Sequence, residues 1–126
     1  MGGRGSSSYG SSRMASLKGS EKQVAWASNI RKDSIEGLQA LKKVAIENSK
    51  RMGESPSVRK DGEKRFDSMI KALKEETSAR SFIDTLSTVS YPKEVIKRGE
   101  AVMSAAVRAA RSGNYENDLE KACKCF

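Results

Sequence analysis

Apolar residues recur at helical spacing in four stretches of this chain. In the first, Ala27, Ile30, Leu38, Leu41 and Ala45 fall on one side of a helix turning about 100° per residue, with Trp26 and Val44 at its edge. Lys32, Lys43 and Lys50 fall together on the other side, with Glu36 and Glu47 nearby. Ser20 and Gln23 form an S-x-x-Q capping box, in which each side chain satisfies a backbone donor of the other. The pattern therefore predicts a helix that opens after Ser20, runs to about Arg51 and stops at Gly53. The stretch "GESPS" that follows is expected to be a loop.

The second stretch, "DGEKRFDSMIKALKEET", sets Phe66, Met69, Ile70 and Leu73 at i, i+3, i+4 and i+7, the signature of an amphipathic helix. Ser78 then caps a short third helix whose Phe82, Ile83 and Leu86 face inward. Residues 85–90 are β-branched and serine-rich, and Pro92 forces a break before the next element. Pro92 also suits the first turn of a last long helix. There Val95, Ile96, Gly99, Val102, Met103, Ala106 and Ala110 share one face, and Gly99 with the alanines lets a neighbouring helix come close. Gly113-Asn114 closes it.

These elements predict an all-α domain, a compact bundle of about four helices over residues 20–115. Its scaffold is Trp26, Ala27, Ile30, Leu38, Leu41, Phe66, Ile70, Leu73, Val102 and Met103, with the Trp26 ring at the core edge and its N–H near water. Residues 1–19 are rich in Gly and Ser and have too little apolar area to offset the entropy of ordering, so they read as a disordered basic arm. Residues 116–126 read as a flexible tail.

Charge adds a partner class to this picture. The 126 residues carry 24 cations and 16 acids, a net charge of +8, which favours polyanions or acidic proteins. The excess is local. Residues 1–20, 21–53 and 93–113 each carry +3, whereas residues 54–77 and 78–92 are neutral. The last helix concentrates it: Lys93, Lys97, Arg108 and Arg111 fall within about 60° of arc, with Ser104 between them. Such a face can neutralise several phosphates, and the arm adds Arg4, Arg13 and Lys18. Tyr9 can stack on a base.

The chain has no histidine, which removes His-dependent acid–base pairs and triads, and its carboxylates are mixed with Lys and Arg on outer faces. Two cysteines, Cys123 and Cys125, cannot fill a tetrahedral zinc site alone. No P-loop spacing is present. The expectation is a protein that is not an enzyme and uses no cofactor or metal. No apolar run is long enough to span a bilayer and no apolar h-region follows Met1, so a cytoplasmic location without membrane contact is expected. Two short strings resemble lipidation signals, Met1-Gly2 with Ser6 and Cys123-Lys124-Cys125-Phe126. Lys124 stands where the second pattern wants an aliphatic residue.

The segment "EKQVAWASNIR" is similar to a helix, roughly E-K-Q-x-A-W-A-x-x-I-R, of a family of small helical proteins from bacteria, their phages and plasmids. A second motif of that family, an aromatic-Ile-Asp after a small residue and a cation, is matched by "SARSFID", with Ser81 and Phe82 where two tryptophans are usual. The opening "MGGRGSSS" resembles the start of many phage-borne proteins. The resemblance covers about a third of the chain and brings no functional residue with it. It implies mobile-element origin in a bacterial host cell and two roles. One is an accessory protein on nucleic acid. The other is an inhibitor of host defence, such as an anti-CRISPR protein, that binds an effector protein or its guide complex. The partner expected is thus nucleic acid, or an acidic or nucleoprotein partner such as a CRISPR effector complex. A structural, self-associating phage protein, a homo-oligomer, is the third role.

Overall fold

The computed structural model describes residues 14–112, and within them the chain is all-α. Helix α1 spans Glu21–Arg51, α2 Pro56–Glu75, α3 Ala79–Leu86 and α4 Val95–Ser112, with a 3-10 turn at Ser87–Ser90 between the last two. The predicted disorder of residues 1–13, the Gly113-Asn114 stop and the tail at 116–126 lie outside the described residues.

The start and stop of α1 follow from local chemistry. The Ser20 hydroxyl accepts from the Gln23 N–H and the Gln23 side chain accepts from the Ser20 N–H, closing the capping box. At the other end Gly53 takes a positive φ of 73°. There Gly53 N–H bonds the Lys50 carbonyl and Glu54 N–H bonds that of Ser49, the paired bonds of a Schellman motif. A β-carbon at Gly53 would meet no neighbour, so the positive φ alone selects glycine here.

Helix α2 begins earlier than the apolar spacing indicates. Ser55 caps it through the Val58 N–H and Pro56 occupies the first turn, so the last two residues of the expected loop are helix and Gly53–Ser55 remain outside it. Phe66, Met69, Ile70 and Leu73 are all buried, as the spacing requires. Ser78 caps α3 through the Ser81 N–H, and Phe82, Leu86 and Val89 are fully buried.

Helix α1 is the spine: α2, α3, the 3-10 turn and α4 all pack on it. One core joins Ala27, Ile30, Ile35 and Leu38 of α1 to Met69 and Leu73 of α2, Phe82 and Leu86 of α3, and Val102, Ala105 and Ala106 of α4. Leu41 and Met103 are partly buried and pack against it. The crossing of α1 and α4 is built on two glycines, Gly37 and Gly99, whose backbones touch. Gly99 was expected to allow a close approach, and Gly37 is the partner that the sequence pattern does not single out.

Three expectations are corrected by the packing. Trp26 does not belong to the core. It sits one step round the helix from Ala27, and 49% of its surface is exposed, because the neighbours that cover Ala27 and Ile30 leave the indole open. The arm does not extend to residue 19. Ala15 N–H bonds the Lys74 carbonyl, Lys18 N–H that of Thr77, and Ala79 N–H that of Lys18. Lys18 thereby forms an isolated parallel bridge with Ser78. Leu17 packs on the core. Composition cannot register such backbone pairing.

The third correction is the start of α4, which is Val95 rather than Pro92. The Pro92 carbonyl is taken by the Arg98 guanidinium at 2.9 Å, and Glu94 supplies the first helical acceptor, to the Lys97 and Arg98 N–H groups.

A buried guanidinium fastens these pieces. Arg31 is 7% exposed and donates to the Ala15 carbonyl at 2.8 Å and the Glu76 carbonyl at 3.4 Å. Its Cζ lies 5.8 Å from the Phe82 ring centroid, in cation–π range. Desolvation lowers its pKa from the ordinary arginine value. Glu76, also buried, accepts from the Thr77 and Ser78 N–H groups and so steadies the turn into α3.

Candidate nucleic-acid interface

Helix α4 turns Val102, Ala105 and Ala106 to the core, which leaves Lys97, Glu100, Ser104, Arg108 and Arg111 on its open side. Lys97 and Arg108 are eleven residues apart, about 16 Å along the axis, and Arg111 follows one turn later.

The two ends of this strip differ. At the start, Lys97 pairs with Glu94 at 3.1 Å, both side chains being well exposed, and Glu100 stands one turn on. An exposed pair of this kind is weak, yet it places a carboxylate beside the cation where a phosphate would have to lie. Toward the end of the helix, Arg108 and Arg111 are exposed and form no ion pair among the described residues. Cations in the last turn also complement the helix dipole, a structural benefit that Arg111 gains without any ligand. A guanidinium offers a planar donor fork suited to phosphate oxygens.

The other candidate cations separate. Lys93 is exposed but lies on the bend before α4, so it is off the helical arc on which the pattern placed it. Lys18 is exposed while its backbone is fixed at the junction of α2 and α3. Arg4 and Arg13 lie outside the described residues. Arg98, which the pattern did not single out, is a structural cation. Its guanidinium lies 3.4 Å from Asp33 and 3.8 Å from Glu36 of α1, next to the Gly37–Gly99 crossing. The visible signal was the Asp33–Glu36 spacing, two acids one turn apart on the face that meets α4.

Sequence patterning also passes over a second basic surface. Lys42 and Lys43 of α1 and Lys71 and Lys74 of α2 line an open groove of about 660 Å³ between the two helices. These residues are far apart in the chain, and only the α1–α2 hairpin joins them.

Among the described residues no three Cys, Asp or Glu side chains gather as a metal-binding group, and no helix is long and apolar enough to cross a membrane. Comparison with family models, curated proteins and solved structures finds no match to this chain.

Proposed function

We propose that this is a non-enzymatic binding protein that contacts nucleic acid, or a nucleoprotein complex, through the outward side of α4. The observation that carries the proposal is the pair Arg108 and Arg111, exposed, one turn apart and in no ion pair among the described residues. Lys97 extends the strip, and the net charge of +8 supplies long-range attraction to phosphate. No base-reading motif accompanies the strip, so the binding proposed is to the phosphate backbone, with little dependence on sequence.

The test is binding to labelled duplex DNA, single-stranded DNA and RNA at about 50 and 200 mM salt. Wild-type affinity falls steeply between the two. The Arg108→Glu/Arg111→Glu variant binds more weakly and with a flatter salt slope. An unchanged slope refutes the assignment to α4.

A second reading is the inhibitor role that the sequence resemblance implies, such as an anti-CRISPR protein acting by stoichiometric protein binding. It is favoured by the half-exposed indole of Trp26, since tryptophan is over-represented among residues that anchor protein interfaces. It predicts a complex with a host protein that survives nuclease treatment and is lost in Trp26→Ala.

A further inference from the structure

We propose that the groove between α1 and α2 is a docking site for an acidic amphipathic helix of a partner protein. This site is separate from the α4 strip and takes a different class of ligand.

The shape argues first. The groove runs from Gln39 to Ile46 on α1 and from Asp67 to Glu75 on α2. At about 1.5 Å per residue each wall is roughly 10–12 Å long, or two helical turns. A third helix laid between two others would bury a stripe at i, i+3 or i+4, and i+7 in such a space. The floor is apolar, formed by Ile46 and Ile70. Beyond Ile46 a smaller recess of about 190 Å³ opens among Ala45, Val58 and Phe66, with Glu54, Arg59 and Glu63 also in its lining.

Charge then selects the occupant. Lys43 stands on the α1 wall, and Lys71 and Lys74 stand on the α2 wall. Lys42 is held by Asp67 at 2.6 Å, and Glu75 is the other acid at the rim. Cations on both walls over an apolar floor match a helix with acids on both flanks of its apolar stripe. Nucleic acid fits less well, because a phosphate backbone makes no use of the isoleucine floor. The chain's own first residues are excluded by charge. Ala15 is hydrogen-bonded to the Lys74 carbonyl at the groove's end, but the sequence before it holds Arg4 and Arg13 and no acid. Helix α4 of a second copy does not match the groove, since its exposed Val95 and Val107 lie beside Lys97 and Arg108.

The probe is a fluorescein-labelled synthetic peptide of about five helical turns, with leucines at i, i+4, i+7 and i+11 and glutamates on both flanks. A scrambled peptide of the same composition is the control. Fluorescence anisotropy at low salt should show saturable binding of the patterned peptide alone. The Lys43→Glu/Lys71→Glu variant, with both positions exposed and circular dichroism confirming its fold, should lose about tenfold in affinity. Ile46→Asp should lose a similar factor. Arg108→Glu/Arg111→Glu should leave peptide binding unchanged, so this site and the α4 strip fail or stand separately. Three results would overturn the proposal: no binding of the patterned peptide, equal binding of the scrambled one, or an affinity unmoved by the lysine reversals. Duplex DNA binding that falls in Lys43→Glu/Lys71→Glu while the peptide fails to bind would reassign the groove to nucleic acid.

Discussion

Gly99→Ala should destabilise the fold, although alanine is the better helix former. A β-carbon built on Gly99 would lie 2.7 Å from the Gly37 carbonyl carbon and 3.0 Å from Leu41 Cβ, with the Gly37 carbonyl oxygen nearer still. The obstacles include backbone, so no side-chain rotation relieves them. To restore ordinary contact the two helices must part by about 1 Å. That shift also loosens Val102, Ala105 and Ala106 against the α1 core. Overpacking of this kind costs about 3 kcal/mol, and the alanine returns about 1 kcal/mol of helix propensity. The expected net loss is about 2 kcal/mol. Gly62 of α2 provides the opposite case, because a β-carbon there would meet nothing within 4 Å. Gly62→Ala should therefore gain up to about 1 kcal/mol from propensity alone. Urea unfolding followed by circular dichroism measures both, with the slope checked for constancy. The double variant Gly37→Ala/Gly99→Ala should cost less than the sum of its parts, since one separation of the helices accommodates both methyls. A Gly99→Ala protein as stable as wild type would refute the close crossing, and a loss in Gly62→Ala would refute the reasoning about space.

Further predictions concern polar contacts. Arg31→Ala removes the donor to the Ala15 and Glu76 carbonyls and should cost about 2–4 kcal/mol; amide exchange should rise first at Ala15 and Lys18, and exchange rising uniformly would contradict the pinning role. Asp67→Asn should cost under about 1 kcal/mol by urea unfolding, because its partner Lys42 is partly exposed and Asp67 is more than half so. A much larger loss would mean the pair organises the α1–α2 hairpin rather than decorating it.

The amino-acid sequence by itself determined the helices, because the information for them is local. Phe66–Leu73 spacing marks the buried side of α2 without reference to any other element. The capping box at Ser20, the cap at Ser78 and the glycine stop at Gly53 are contacts within a few residues, so they were legible and stand in the structure. The cationic side of α4 was legible for the same reason, at Lys97, Arg108 and Arg111.

Only the tertiary structure decided which side of each helix meets which neighbour, since burial at a helix edge depends on the partner's reach. That is why Trp26, at the edge of the α1 face, is half exposed, while Arg31, a cation by type, is buried under Phe82 and bonded to two carbonyls. Lys93 likewise falls on a bend before the helix, where the Arg98 guanidinium, paired with Asp33 and Glu36 across the crossing, also takes the Pro92 carbonyl. The pairing of Gly37 with Gly99 and the groove joining Lys43 to Lys71 and Lys74 are products of helix-against-helix geometry. Periodicity within one segment carries no information about the distance between two.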